Sequence, residues 1–252
     1  MHRFFISPEQ CRGDLLILTG GEAHHALKVL RLERGEKLIV LNGAGGEFLC
    51  EVVNGKRDQV SLAVLETRSL PPLPYRITLV QALPKGKLFE AIVQKATELG
   101  VFEIVPLLTE RVVAHLEGKD PVHKLQKWQA IAVEAVKQCG SGWVPKITSP
   151  MTPQQLIKRA SEFELSLVGS LQPRAQHPRL LFKAFQHDHG RMPASACVWI
   201  GPEGDFTAEE LALIKTSGAR PITLGPLVLR TETAAIYCLA ILNYEFTFTG
   251  RD

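Results

Sequence analysis

Residues 198–243 read VWIGPEGDFTAEELALIKTSGARPITLGPLVLRTETAAIYCLAILN, and this stretch decides the fold. Two short apolar runs, 197–200 and 221–224, each end in a Gly-Pro turn. Apolar runs of this length that are bounded by turn residues are typical of buried parallel strands. The segments 207–217 and 231–246 follow the turns, have helical patterns and would cover the sheet. The stretch therefore predicts two successive strand–helix units.

The loops that follow the two apolar runs are rich in glycine, at Gly201, Gly204 and Gly225. Ligands of open α/β sheets bind beyond the carboxyl ends of the strands, and glycine lets the backbone approach a ligand closely. The two loops therefore predict a pocket walled by main chain, with residues 230–233 at its rim. Two ordinary strand-to-helix turns are the alternative interpretation, because Gly and Pro punctuate most loops.

The chain from residue 73 onward alternates strand-like and helical segments. The strand-like segments before the opening stretch are 76–82, 104–108 and 166–170, and the helical ones are 87–99 and 122–139. Thr207 and Glu210 have the spacing of a capping box, which predicts the start of the helix after the first glycine loop. Because strand and helix alternate throughout, we expect a parallel α/β sheet.

Residues 1 to about 70 are instead rich in short strand-like runs, which are 3–6, 15–18, 37–41, 48–53 and 60–65. Asn42-Gly43-Ala44-Gly45-Gly46 joins two of them as a hairpin, and no βαβ pattern surrounds these glycines to favour a nucleotide site. We expect a compact β-barrel. Prolines at 71, 72 and 74 stiffen the connection that follows, so we predict domains at 1–72 and 73–252.

Composition bounds the class of protein. A chain of 252 residues with 45% hydrophobic content can bury a core without a metal or disulfide. The five cysteines are scattered and odd in number, which predicts free thiols in a reducing cytoplasm. No apolar run approaches the ~18 residues of a membrane span, and the first residues, MHRFFISPEQCRGD, lack the apolar segment of a signal peptide. We therefore expect a cytoplasmic protein that does not cross a membrane.

The formal net charge is only +3, so a basic surface would have to arise from the placement of charges in space. The most basic cluster in the first domain comprises His24, His25, Lys28, Arg31 and Arg34. Lys28 and Arg31 are three residues apart, which would place them on one face of a short helix or turn, where they could bind RNA phosphates. A solvated face balanced by acidic neighbours is the alternative. No further ligand has metal-binding spacing to the two histidines, so we predict no metal site.

Several motifs resemble those of one known family. GPEGDF (201–206) and LGPLVLRTETA (224–234) are similar to signatures of the bacterial 16S ribosomal RNA uridine-N3 methyltransferases, the ribosomal small-subunit methyltransferase E family. Further matches follow in the family's order: HHALKVLRLERGE (24–36), QALPKGKLFEAIVQKATELGV (81–101), IVPLLTERVV (104–113) and EAVKQCG (134–140). They span nearly the whole chain, and the combination is specific.

The resemblance implies a fold and an activity. The fold is α/β, a SPOUT-type parallel sheet with a C-terminal trefoil knot, preceded by a small PUA-like or OB-like β-barrel that binds RNA. The segment around 224–235 would thread back through the loop that contains Gly201. The activity is S-adenosylmethionine-dependent methylation of N3 of a specific uridine in 16S rRNA of the small ribosomal subunit, by a homodimer.

The resemblance also implies site residues. Those expected to bind the cofactor are Gly201, Glu203, Gly204, Leu224, Gly225, Leu227, Leu229, Thr233 and Ala234. We expect Arg230 to stabilise the negative charge that spreads over the uracil carbonyl oxygens as N3 loses its proton. Glu232 is either the base or a carboxylate that stabilises the start of the last helix through its dipole. Glu203 is either a residue that fixes its loop or a base.

Three positions depart from the pattern of the family. Asp205 stands where glycine is usual, Leu227 where a basic residue is common, and Ser141-Gly142-Trp143 where arginine is common. Asp tolerates left-handed dihedral angles, so the first loop can keep its shape. The other two departures weaken the inference of RNA contacts. Two other functions stay open: ribose 2′-O-methylation by a member of the same superfamily, and non-catalytic binding of RNA in ribosome assembly.

Overall fold

The computed structural model describes residues 1–56, 58–113 and 121–247. These residues divide into two compact units. The first takes in the described residues of Met1–Pro72 together with Val133–Val144, and the second takes in Leu73–Ala132 and the described residues from Pro145 onward.

The first unit is built around a β-sheet. Its elements are β1 (Arg3–Phe5), β2 (Leu15–Thr19), α1 (Gly20–His24), β3 (Lys37–Leu41), β4 (Gly46–Lys56) and β5 (Gln59–Ser69). The strand order is β1-β3-β4-β5-β2, in which β1 and β3 are parallel and the other pairs are antiparallel. Alternate residues of β2 point into a core that includes Phe4, Leu38 and Leu62. This alternation is typical of a sheet with one covered face.

Residues 133–144 belong to the first unit through specific contacts. The ammonium of Lys137 pairs with Glu22 at 2.7 Å and with Glu134 at 2.8 Å. Burial by itself lowers the pKa of Lys137, but the hydrogen bonds and charges of the two carboxylates outweigh it, and the pKa is raised. Trp143 donates its indole N–H to the carbonyl of Leu70 at 3.0 Å. The Ser141-Gly142-Trp143 departure therefore has a packing role within this unit.

The second unit is a parallel α/β layer structure. Its elements are β6 (Arg76–Ala82), α2 (Leu88–Glu98), β7 (Glu103–Leu107), α3 (Glu110–Val113), α4 (Pro121–Cys139, whose last turns belong to the first unit), β8 (Lys146–Ile147), α5 (Pro153–Leu156), β9 (Leu165–Gly169), α6 (Pro178–His189), β10 (Ser195–Ile200), α7 (Ala208–Thr216), β11 (Arg220–Ile222) and α8 (Thr231–Thr247). The strand order is β11-β9-β10-β6-β7-β8, and every pairing is parallel.

The central strands of this sheet are buried along nearly their whole length. In β6, β7 and β10 almost every side chain is buried, as expected for parallel strands covered on both faces. Trp199 and Phe206 lie in the core beneath α7. The predicted alternation of strands and helices is confirmed for these strands. The short elements β8, α3 and α5 and the longer helix α6 were not predicted.

All five cysteines are free thiols, as predicted. Burial raises the pKa of Cys50 and of Cys238 to about 12, which keeps both as unreactive thiols. In the described part of the chain, no helix is both long and apolar enough to cross a membrane. Within the same ranges, no group of three or more His, Cys, Asp or Glu side chains could hold a metal ion.

Gly45→Ala should destabilise the first unit more than Gly35→Ala. Both glycines have nearly the same positive φ, +88° and +89°, so both substitutions carry the left-handed cost of about 1–2 kcal/mol. A Cβ at Gly45 would lie 2.6 Å from the Trp143 ring and 2.9 Å from the Leu70 carbonyl, whereas one at Gly35 meets nothing within 4 Å. The overpacking at Gly45 should cost a further ~1–3 kcal/mol.

Urea unfolding followed by tryptophan fluorescence measures the difference between the two variants. Equal midpoints for both variants would mean that the hairpin moves away from Trp143 without cost.

Candidate active site

Three neighbouring strands of the second unit end at one cavity. β10, β9 and β11 are adjacent and parallel, so the loops that follow them emerge at the same edge of the sheet. Together with the start of α8 and Leu88 of α2, these loops enclose a cavity of about 490 Å³. A volume of this size suits a ligand as large as a nucleoside derivative.

The hydroxyl of Thr231, the first residue of α8, joins the two glycine loops. It donates to the carbonyl of Gly201 at 2.6 Å and accepts from the amide nitrogen of Gln81 at 2.9 Å. The same nitrogen of Gln81 donates to the carbonyl of Ala82 at 2.9 Å, which fixes the orientation of the amide because a carbonyl can only accept. Thr231 and Gln81 are buried. These bonds therefore hold the ends of β6 and β10 against the start of α8.

The first glycine loop is held by contacts on both sides. Asp205 has φ +60° and accepts the backbone N–H of Phe206 at 2.8 Å, so the prediction that Asp takes a left-handed conformation here is confirmed. Glu203 accepts the backbone N–H of Lys85 at 3.1 Å. Arg111 donates to the carbonyl of Asp205 at 3.1 Å. The loop is thus a braced turn whose carbonyl at Gly201 faces α8.

The helix after this loop begins where the sequence predicts. Thr207 and Glu210 form the capping box in both directions. The second carboxylate oxygen of Glu210 accepts the backbone N–H of Glu110 at 2.8 Å. Glu210 therefore links the start of α7 to the start of α3, which explains why a charged side chain is buried here.

The second glycine loop offers its main chain to the cavity. Gly225 has φ +109°, and a Cβ there would meet nothing within 4 Å. Leu227 and Val228 are 74% and 77% exposed. Among the described residues, no acceptor lies opposite the backbone N–H groups of Leu227 and Leu229. These donors are available to a ligand.

Most of the predicted site residues line this one cavity. They are Gly201, Glu203, Leu224, Gly225, Leu227, Leu229, Arg230, Glu232 and Ala234. Gly204 and Thr233 do not line it, and Gly204 instead lines a second cavity on the other side of its loop. Reasoning from sequence missed Gly169, Ser170 and Leu171, which line the cavity at the end of β9. Only the strand order, which places β9 between β10 and β11, could have indicated them.

The predicted RNA-binding residues lie in the first unit. His24 ends α1, and His25 begins a wider π-helical turn over His25–Val29. Arg31 lies beyond this turn with φ +54°, so of the two predicted options, a short helix or a turn, no helix carries both Lys28 and Arg31. Lys28, Arg31 and Arg34 are exposed and form no ion pair with any described residue. The ring of His25 instead packs beside Phe4, with ring centroids 5.8 Å apart.

Two family models match the chain, an RNA methyltransferase domain over residues 71–243 and an RNA methyltransferase PUA domain over residues 18–65. The ribosomal RNA small subunit methyltransferase E of Bacillus subtilis is 33% identical over the full length of both chains. The chain belongs to the ribosomal RNA small subunit methyltransferase E family. The N-terminal sheet is therefore the PUA domain of a methyltransferase E protein, and the parallel sheet is its RNA methyltransferase domain.

Solved structures agree with membership of the methyltransferase E family. A protein of Legionella pneumophila that was assigned as a methyltransferase, solved with bound SAM, is 34% identical, with a TM-score of 0.85 and 96% of each chain covered. The methyltransferase E of Neisseria gonorrhoeae, solved with S-adenosyl methionine, is 25% identical, with a TM-score of 0.84 and coverage of 99% of this chain and 100% of that one.

Thr231→Val should lower the stability of the second unit, whereas Thr233→Val should not. The two substitutions are identical and lie in the same turn of α8, but Thr233 is exposed. Removing the buried hydroxyl leaves the Gly201 carbonyl and the Gln81 amide without their partner, which should cost about 1–3 kcal/mol. Thermal unfolding of both variants without ligand measures this, and equal unfolding temperatures would show that water replaces the hydroxyl.

Proposed function

We propose that this chain transfers a methyl group from S-adenosylmethionine to N3 of one uridine in 16S rRNA of the small ribosomal subunit. The observation that carries the proposal is the shared cavity, in which the loops after β10 and β11 are joined through the 2.6 Å hydrogen bond between Thr231 and Gly201. Membership of the methyltransferase E family supports the substrate. The relatives solved with SAM support the cofactor.

The residues of the cavity fit S-adenosylmethionine. Leu88, Ile200 and Leu224 provide apolar walls for an aromatic base, and the N–H groups of Leu227 and Leu229 provide donors for its edge. We assign cofactor contacts to Gly201, Glu203, Leu224, Gly225, Leu227, Leu229 and Ala234. The assignment of Gly204 and Thr233 stays a prediction.

The chemistry defines what the protein must do. When bound, S-adenosylmethionine supplies a methyl group on a positively charged sulfonium, so the leaving group needs no acid. Uridine N3 lies on the pairing edge of its base, so the base has to leave its stack to enter the cavity. The chain then aligns the base and removes the N3 proton. Alignment alone can lower the barrier by up to ~7–11 kcal/mol.

Arg230 is suited to the negative charge that develops on the base. Its side chain is exposed at the wall of the cavity and forms no hydrogen bond or ion pair with any residue that the structure describes. A guanidinium stays protonated and offers several donors in a fixed plane. Held beside the uracil carbonyl oxygens, it stabilises the anion that forms as N3 loses its proton.

Glu232 lies two residues further along the chain, in the first turn of α8, and also lines the cavity. Its carboxylate has no hydrogen-bond partner among the described residues. Two roles are open to it. It can accept the N3 proton, or it can stabilise the positive end of the α8 dipole.

The remaining parts of the proposal concern the whole protein. We assign residues 1–72 to an RNA-binding domain that contacts rRNA through His24, His25, Lys28, Arg31 and Arg34. We assign residues 73–252 to the catalytic domain, apart from Val133–Val144, which belong to the first unit. In this domain the segment 224–235 would pass through the loop of Gly201 as a trefoil knot. The functional form is a cytoplasmic homodimer. The family resemblance supports each of these assignments.

The first test locates the methyl group. The purified protein with S-adenosylmethionine should methylate small ribosomal subunits that lack this modification, and mass spectrometry of nucleosides should find 3-methyluridine. A methyl on the ribose would favour the 2′-O-methyltransferase alternative. Binding to the subunit without any transfer would favour a non-catalytic role in assembly.

The second test concerns Arg230. Arg230→Ala should lower turnover by about 10²-fold, because one donor that stabilises developing charge is lost. The dissociation constant for S-adenosylmethionine, measured by calorimetry, should stay within a factor of two or so, since the cofactor contacts come largely from main chain. Full turnover in this variant would remove Arg230 from the role.

Glu232→Gln is the companion variant. If Glu232 is the base, its turnover falls about as far as that of Arg230→Ala. If the carboxylate acts only on the helix dipole, turnover is kept and stability falls by about 0.3–1 kcal/mol.

A further inference from the structure

A second cavity lies on the other side of the first glycine loop. Its volume is about 550 Å³, and it shares Pro202 and Glu203 with the candidate active site. The other described lining residues are Gly204, Arg111 of α3, the turn 83–87, the first residues of α2 and residues in the first turns of α4. The two cavities are therefore neighbours within one compact unit, separated by a single turn of backbone.

The second cavity is strongly cationic. Among the described residues that line it there are five lysines and arginines, against two glutamates. The five are Lys85, Lys87, Arg111, Lys124 and Lys127. This local excess equals the net charge of +3 of the entire chain. Because the composition of the chain is nearly balanced, such a surface arises only from the placement of charges that are distant in sequence.

Both carboxylates of the cavity are already engaged. Glu90 pairs with Lys127 at 2.5 Å, and Glu203 accepts the backbone N–H of Lys85 at 3.1 Å. The ammonium groups of Lys85 and Lys87, by contrast, are exposed and form no hydrogen bond or ion pair with any described residue. They remain available to an external anion.

Two buried aromatic side chains that line the cavity pack against each other. Phe89 and Trp128 are only 3% and 5% exposed, and their ring centroids lie 4.5 Å apart at an interplanar angle of 56°. Arg111 forms part of the rim and donates to the carbonyl of Asp205 at 3.1 Å. An anion held at this rim is therefore held against fixed elements, at a set position relative to the loop that walls the active site.

We propose that this second cavity binds the phosphodiester backbone of the substrate RNA beside the target nucleotide. Lys85 and Lys87 are the positioning residues that hold the phosphates, while the target base enters the first cavity across the Pro202–Glu203 turn. The proposal rests on the proposed function and adds a phosphate site to it. Lysine contacts of this kind add affinity and register without reading sequence.

The test is the double variant Lys85→Gln, Lys87→Gln, compared with Lys158→Gln, Lys183→Gln. The control lysines are also exposed, lie in the same unit and line neither cavity, so the change in total charge is the same. Arg111 is left intact because its hydrogen bond to the first loop would confound the result. Equilibrium binding to purified small ribosomal subunits is measured over a range of salt concentrations, with KM, kcat and the dissociation constant for S-adenosylmethionine.

The cavity variant should raise KM for small subunits roughly tenfold with little change in kcat, and the plot of log affinity against log salt should become less steep by about 0.7 per lost phosphate contact. The control variant should match the unaltered chain, and cofactor affinity should be unchanged in both. Binding and salt slopes equal to those of the control overturn the proposal. So does a parallel loss of cofactor affinity, which would assign the lysines to the cofactor.

The binding measurement does not require turnover. If the unaltered chain transfers no methyl group to the subunit, the proposed function fails, and the salt slopes of the two variants still decide whether the second cavity binds RNA phosphates.

Discussion

The hydroxyl of Thr231 is the constraint on which the rest of the site depends. One oxygen donates to the end of β10 and accepts from Gln81 at the end of β6, and it belongs to the first residue of α8. Within a buried environment such bonds are electrostatically stronger than in water, and leaving any member unpaired is costly. Within this network the amide oxygen of Gln81 is left unpaired, with no partner in the described part of the chain. The positions of both glycine loops follow from this network.

Two of the departures from the family pattern, Asp205 and Leu227, fall on the loops that line the candidate cavity. Asp205 keeps the first loop because it adopts the left-handed conformation that glycine would have, and its own carboxylate caps the turn. Leu227 lines the cavity and is largely exposed. The chemistry, by contrast, depends on side chains. In the proposed mechanism Arg230 supplies the unpaired cation among the described residues of the cavity, and a neutral residue there would remove that charge.

Local pattern predicted much of the fold and part of the site. Each of these features is encoded by a few consecutive residues, through capping, periodicity or turn chemistry: the start of α7, the buried runs of β6 and β10, and the glycine loops. The contribution of Ser170 depends on strand order, which a single strand does not specify. The second cavity is lined by Lys85, Arg111 and Lys127 from three separate segments. These residues are too far apart in sequence for a local pattern to predict that they meet. The spacing of Lys28 and Arg31 did not distinguish a short helix from a turn, and the positive φ of Arg31 excludes a helix that carries both residues.

The turn of Pro202 and Glu203 forms a wall of both cavities. A ligand in one cavity that fixes the conformation of this turn would change the free energy of binding in the other cavity. Thermodynamic linkage makes any such effect reciprocal. If bound donor raises the affinity for RNA by some factor, bound RNA raises the affinity for the donor by the same factor. With RNA in the second cavity as proposed, exchange of the spent donor and departure of the modified strand would be coupled through these two residues.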